Sequence, residues 1–203
     1  MNDPAKWWDT RLKDPKAFDF FVENLGGTSM PSRVLARELA VGRGITSVLD
    51  VGCGPAIDRW QDAKGIAWRG CDASRLICDT NRERGITIDF AAAHLLPYKA
   101  RSYDLVYARH VWEHLPHFLP ALKEACRVAK RGVMTTFFQP PGSHERITVA
   151  DGAHYNDYKL ADITAAFMRI WPDCVVSMHR LPQQKFLPHG ELILFATRPV
   201  ESP

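Results

Sequence analysis

Ser47-Val48-Leu49-Asp50-Val51-Gly52-Cys53-Gly54-Pro55-Ala56 is the stretch that decides how this chain is read. An apolar run closes on an acid, two glycines follow one residue apart, and a proline comes next. A run of this length suits a buried parallel strand. Glycine has no Cβ, so Gly52 and Gly54 permit a sharp turn and a close ligand. Pro55 lacks an N–H and fits the first turn of a helix. Strand, glycine turn and helix are how open α/β sheets build a nucleotide crevice at the carboxyl ends of their strands. Taken alone, the stretch is also compatible with an ordinary turn that holds no ligand.

The flanking charges narrow the ligand. A dinucleotide needs a third glycine and a helix N-terminus free for its pyrophosphate. Ala56 or Ile57 stands where that glycine is expected, and Asp58 follows in the first helical turn. Asp50 repels phosphate but suits an ammonium. S-adenosylmethionine carries an ammonium, a sulfonium and no phosphate, so the charges favour it over NAD(P). Asp72 lies 22 residues after Asp50, closing Ile66-Ala67-Trp68-Arg69-Gly70-Cys71. An acid about 20 residues on, at the end of the second strand, binds ribose hydroxyls in such crevices. Asp72 also fits as the cap of a helix starting near Ser74.

Bulk properties set the frame. The 203 residues suit one domain with a substantial core, and 46% hydrophobic with 24% charged residues is ordinary for a soluble protein. A net charge of +3 does not call for nucleic acid, and the densest basic stretch, Lys123 to Arg131, reads as one solvated helix face. The five cysteines, Cys53, Cys71, Cys78, Cys126 and Cys174, form no C-x-x-C pair, so reduced thiols in a cytoplasmic protein are expected. No signal pattern and no membrane-length apolar run occur.

The rest of the chain reads as alternating elements. Residues 1–30 hold Trp7, Trp8, Phe18, Phe20 and Phe21 on one or two short helices ending at Gly26-Gly27. Ser32 is expected to cap a helix to about Ala40. Strands are expected near 46–51, 66–71, 86–91, 103–108, 132–138, 174–181 and 191–197. Helices are expected near 56–64, 74–84, from Pro116 or Pro120 to about Ala129, and 159–170. Gln139-Pro140-Pro141-Gly142 sits after the fifth strand, the wrong place for an amide-methylating N-P-P-Y motif. Residues 140–158 form a polar loop at the carboxyl edge, a reasonable place for substrate recognition.

Val48–Gly54, Asp72, Leu96-Pro97-Tyr98, Ser102-Tyr103-Asp104-Leu105-Val106 and Glu113-His114-Leu115 occur in one order. In that order the chain resembles the class I S-adenosylmethionine-dependent methyltransferases, in particular the small-molecule branch called methyltransferase type 11. The resemblance spans roughly residues 45–138. It implies a Rossmann-like α/β fold: a seven-stranded, mostly parallel sheet with an antiparallel C-terminal strand and helices on both faces. It implies one domain, with 1–44 as a helical cap or lid and 45–203 as the core.

The resemblance also assigns roles. Asp50, Val51, Gly52, Cys53, Gly54, Asp72 and Ala73 are implied to hold the cofactor S-adenosylmethionine, with the Arg109 backbone at its methionine end. In the family an acid before the L-P-[FY] turn binds the adenine amino group. Here that position is Ala92, so adenine is left to groups near Ala92, Ala93 and His94. His110 is implied near the sulfonium, with Trp112, Glu113 and His114 bordering the acceptor pocket. Trp7, Arg11, His144 and Tyr155 are the further substrate candidates.

Methyl transfer mainly needs alignment of a nucleophile and exclusion of water. A hydroxyl or protonated amine acceptor adds the need for a base, for which His110 and His114 are the candidates. Their spacing of four also suits a metal, but no third ligand is evident, and none is expected. The expected function is therefore methyl transfer to a hydroxyl or amine of a small molecule, by a monomer or homodimer without nucleic acid or membrane. A non-catalytic cofactor-binding scaffold or activator is the alternative, and an NAD(P)-dependent oxidoreductase a weaker one.

Overall fold

The computed structural model describes residues 4–14, 16, 19, 22, 29–60, 63, 65–150, 152–185 and 187–199. The expected aromatic residues Phe18, Phe20 and Phe21 and the stop at Gly26-Gly27 lie outside these. Strands β1 (Ser47–Val51), β2 (Ala67–Asp72), β3 (Asp89–Phe90), β4 (Tyr103–Arg109) and β5 (Ala129–Phe137) are parallel. A small hairpin, β6 (Val149–Ala150) with β7 (Ala153–His154), interrupts the chain. Strands β8 (Val175–Leu181) and β9 (Glu191–Thr197) then complete a seven-stranded sheet in the order β3-β2-β1-β4-β5-β9-β8. β9 runs antiparallel to both of its neighbours, β5 and β8.

Period-two alternation distributes the core. Leu49, Val51, Val106, Ala108, Val133, Leu192 and Leu194 face one layer, formed by α4 (Phe118–Val128) and α5 (Leu160–Ile170). Val48, Leu105, Tyr107, Met134, Ile193 and Phe195 face the other, which carries Ala36 and Ala40 of α2 (Pro31–Gly42). Both faces are therefore covered, as a central parallel sheet requires. Helix α3 (Arg75–Glu83) follows β2, and its N-cap Ser74 accepts a bond from the Ile77 amide at 3.1 Å. Helix α1 is Pro4–Arg11.

Three local expectations are corrected. Among the described residues, no helix follows the glycine turn. Ala56, Arg59 and Trp60 adopt left-handed backbone angles of φ 49°, 45° and 54°, which no α-helix tolerates. Asp58, expected in a first helical turn, is buried between Arg37 at 2.6 Å and Arg33 at 3.3 Å. Trp60 packs edge-on against Tyr107 at 5.3 Å. Second, Ser32 lies inside α2, whose N-cap is Met30, and its hydroxyl donates to Glu191 instead of the helix end. Third, β3 has two residues instead of six, because Ile86 and Ile88 turn into an apolar cluster with Leu12 and Ile77.

Candidate active site

Strand register assembles the carboxyl edge. Val51 pairs with Cys71 on one side and Ala108 on the other, so Gly52, Asp72 and Arg109 come level. Arg109 pairs with Thr136, and Phe137 with Leu192, which brings Phe138 and Glu191 to the same edge.

The glycine loop is pinned from both neighbours. The Gly52 and Cys53 amides donate to the Cys71 carbonyl at 2.8 and 3.1 Å. The Gly54 carbonyl accepts from Asn81 Nδ2 of α3 at 2.8 Å. Gly52 has φ +66°, and a Cβ there would stand 2.5 Å from Cγ2 of Val111. Gly54 has φ +56°, but a Cβ there would meet nothing within 4 Å. The first glycine is thus required by the protein's own packing, and the second leaves open space above the turn.

Asp72 links the loop to α3. One carboxylate oxygen accepts from the Gly54 amide at 3.0 Å, the other from the Ser74 amide at 2.9 Å. Burial raises its pKa despite these bonds. Each oxygen keeps a second lone pair, so a diol can still be accepted. Asp50 is enclosed, with 5% exposure, and accepts a hydrogen bond from Trp68 Nε1 at 3.3 Å. Burial pushes its pKa up to about 7. Val51 is buried, and Cys53 and Ala73 are half-buried beside the loop.

Past β3, the Leu95 amide donates to the Ala92 carbonyl at 3.0 Å, forming a tight turn. Ala92 is half-buried, Ala93 buried and His94 exposed in that turn. The nearest acid in sequence, Asp89, is bonded to Arg69 and to the Tyr98 hydroxyl at 2.8 Å, which holds its pKa down. Asp89 is therefore committed to Arg69 and Tyr98 instead of facing the Ala92 turn.

The two histidines expected as bases sit in different surroundings. His110 (φ +55°) shares a 2.7 Å bond with Oε1 of Glu191, which also accepts from Arg109 at 2.9 Å and Ser32 at 2.9 Å. Burial tends to protonate Glu191, but the bond from His110 and the Arg109 charge outweigh it and keep it ionised. Burial and the neighbouring Arg109 keep His110 neutral. Its Nε2–H therefore donates to the carboxylate. His114 Nδ1 lies 2.7 Å from the His154 carbonyl and so carries the proton, leaving Nε2 with a lone pair. Burial lowers its pKa, so it too is neutral near pH 7.

Around His114 stands an aromatic enclosure. Trp8 and Tyr155 meet it edge-on at 5.3 Å each, and Phe138 stacks on it at 5.7 Å. Trp7 contacts Trp8 at 4.8 Å and Tyr155 at 6.3 Å, and the Arg11 guanidinium lies over Trp7 at 5.4 Å. Of the expected substrate residues, Trp7, Arg11 and Tyr155 thus gather at His114. His144 does not: it is exposed, with a 2.9 Å bond to the Ser143 hydroxyl. Trp112 is corrected outright. It is 1% exposed, packed among Phe118, Phe137 and Phe167, because the short 3-10 turn Trp112–His114 points it into the core.

Residues 49–137 match the sequence profile of the family described as Methyltransferase domain. Over those residues the chain is similar to a methyltransferase domain. A curated relative, an uncharacterized 37.1 kDa protein in transposon TN4556 of Streptomyces fradiae, is 27% identical over 139 residues. The match covers 64% of this chain, and the chain spans about 38% of the length of that relative. The chain's fold is similar to that of magnesium protoporphyrin IX methyltransferase from Synechocystis PCC 6803, solved with S-adenosylmethionine. That pair has a TM-score of 0.68 and 17% identity, covering 98% and 99% of the two chains. Burkholderia thailandensis 1,6-didemethyltoxoflavin-N1-methyltransferase, solved with its substrate and S-adenosylhomocysteine, gives a TM-score of 0.71 at 14% identity, covering 98% and 92%.

Three participants in this carboxyl edge escape sequence reasoning. Glu191 opens an otherwise apolar strand, Glu191-Leu192-Ile193-Leu194-Phe195-Ala196, and that lone charge was the available signal. Phe138 follows β5 and looks like one more core aromatic. Asp9 gives no signal: its carboxylate accepts from the Ser74 hydroxyl and contacts the Leu76 amide at 3.4 Å, so α1 is latched to the start of α3.

Proposed function

We propose that this methyltransferase domain transfers a methyl group from S-adenosylmethionine to a hydroxyl or amine of a small molecule. The observation that carries the reading is the Asp72 carboxylate bonded to the Gly54 amide at 3.0 Å, beside the open space over Gly54. An anionic acceptor tied to a glycine turn is the arrangement a ribose diol beside an uncharged backbone cradle requires. The fit extends to the other parts of the cofactor: Asp50 and the Arg109 backbone lie level with the turn for the methionine end, and the Ala92–His94 turn offers backbone groups to adenine. When bound, the cofactor supplies a methyl carbon already activated by positive sulfur.

The chain's own residues then align the acceptor and exclude water. The rings of Trp7, Trp8, Phe138 and Tyr155 favour a flat, largely uncharged acceptor. His114 Nε2, unprotonated and within this enclosure, is the better placed base for an acceptor proton. His110, tied to Glu191 beside Arg109, is a poor base, and we assign it to holding the segment after β4. Helix α1, bonded to α3 through Asp9 and packed on His114 through Trp8, acts as the lid.

Calorimetric titration with S-adenosylmethionine and S-adenosylhomocysteine tests the reading. Micromolar binding is expected, and no heat at millimolar ligand overturns it. One observation favours a second reading, a cofactor-binding scaffold: no carboxylate stands at Ala92, and Asp89 is committed elsewhere. Binding without transfer to any acceptor in a broad screen of phenols, amines and sugars selects it.

A further inference from the structure

The polar loop at residues 140–158 is stitched to the segment after β4 at three successive residues. The Asn156 amide donates to the Glu113 carbonyl at 2.9 Å. His114 Nδ1 donates to the His154 carbonyl at 2.7 Å. The Leu115 carbonyl accepts from Asn156 Nδ2 and from the Tyr158 hydroxyl, at 2.8 Å each.

Asn156 is the centre of this seam. It is 2% exposed, and its side-chain amide is engaged at both ends. Nδ2 donates to the Leu115 carbonyl and to the Tyr158 oxygen, the latter at 3.0 Å, while Oδ1 accepts the Thr148 amide at 3.1 Å. The three partners need two N–H donors and one acceptor, which an asparagine amide supplies and an aspartate does not. An apolar residue there would take the acceptor from the Thr148 amide and the donor from the Leu115 carbonyl. Thr148 precedes β6 and His154 ends β7, so one side chain fixes the hairpin against Glu113–Leu115.

The fixed backbone acts on His114. A neutral imidazole can carry its proton on either nitrogen, and a hydrogen bond at one nitrogen decides which. The His154 carbonyl can only accept, so it keeps the proton on Nδ1. Burial keeps the ring neutral, and Nε2 is left with its lone pair. A carbonyl that drifted away would let some rings present an N–H where a base is required.

We propose that Asn156 is a positioning residue: it holds the His154 carbonyl against Nδ1 of His114 and so determines which ring nitrogen can accept a proton from the substrate. This rests on the reading of His114 as the base for methyl transfer.

Nitrogen NMR of the whole chain labelled with nitrogen-15 histidine tests it, with His114→Gln identifying the His114 signals. In the unsubstituted chain the proton should sit on Nδ1 in at least about fivefold excess. Asn156→Ala should reduce that excess severalfold, while the signals of the exposed His94 and His144 stay unchanged. Should Asn156→Ala fail to fold, Tyr158→Phe keeps a ring packed on Phe118, at 4.9 Å, but removes one donor from the Leu115 carbonyl. It should reduce the excess about twofold. A proton on Nε2 in the unsubstituted chain overturns the proposal. An unchanged excess in the variant that folds also overturns it, because a merely structural Asn156 would lower the unfolding midpoint and leave the His114 proton where it is. The measurement needs no cofactor, so a failure to bind S-adenosylmethionine would count against the methyl-transfer reading alone.

Discussion

Glu191, the first residue of β9, shares a 2.7 Å hydrogen bond with His110, the residue after β4, across the intervening end of β5. The same carboxylate oxygen receives Arg109 and Ser32, so one buried anion ties three elements together. His110 precedes Val111, whose methyl group occupies the space beside Gly52. The anion therefore sets where the segment after β4 rests against the glycine turn. Glu191→Gln removes the carboxylate that pairs with the buried Arg109 at 2.9 Å and should destabilise the fold by about 3 kcal/mol, measured by urea unfolding. S-adenosylmethionine affinity should fall in the same variant. A change below about 0.5 kcal/mol would mean that the cluster contributes little.

The two glycines should respond differently to alanine. At Gly52 the added methyl meets Val111 at 2.5 Å in a left-handed backbone, so Gly52→Ala should cost about 2–4 kcal/mol of stability. At Gly54 the backbone is also left-handed but the space is open, so Gly54→Ala should cost only about 1 kcal/mol. Its methyl nevertheless enters the proposed cofactor space, so cofactor affinity should fall at least about tenfold. Chemical unfolding and calorimetry on both variants separate the effects. Unchanged affinity in Gly54→Ala would remove the cofactor from that space.

Much of this edge was legible in the sequence because it follows from local pattern. Short apolar runs marked β1, β4 and β5, and the spacing from Asp50 to Asp72 located the second acid. The failures share a cause in contacts distant along the chain. Pro55 after the glycines read as a helix start, yet Asp58 is drawn to Arg33 and Arg37, which precede it by 25 and 21 residues. Trp112 shared a motif with His114 and seemed to share its surroundings, but a single 3-10 turn sends the two side chains opposite ways. Asp9 meets Ser74 across 65 residues, and no spacing rule reaches that far.

Asp72 carries the proposed ribose contact and a structural one, and two substitutions separate them. Asp72→Asn keeps an oxygen for one amide but loses the charge. It should weaken S-adenosylmethionine about tenfold to a hundredfold, at a small cost in stability. Asp72→Ala also leaves the Gly54 and Ser74 amides without their partner, and should lower stability by a further 1–2 kcal/mol or so. An unchanged dissociation constant in both variants would take Asp72 out of the ribose site.

Glu113 supplies a pH test. Its Oε1 accepts the Phe138 amide at 2.8 Å, and its Oε2 has no partner among the described residues. Burial pushes its pKa from 4.5 up to about 8. Between those values the folded chain holds a proton that the unfolded chain has released. Its contribution to stability is therefore complete below pH 4.5 and is lost as pH rises through 8. Asp50, raised to about 7, acts in the same direction but finishes earlier. Between pH 7 and 8 the slope should therefore come mainly from Glu113, at about 1 kcal/mol per pH unit for one proton. Glu113→Gln mimics the protonated acid and keeps the bond to Phe138, so it should fold and lose that slope. Urea unfolding at pH 5, 7 and 8 measures it, and an equal slope in both proteins would show that Glu113 is already ionised at neutral pH.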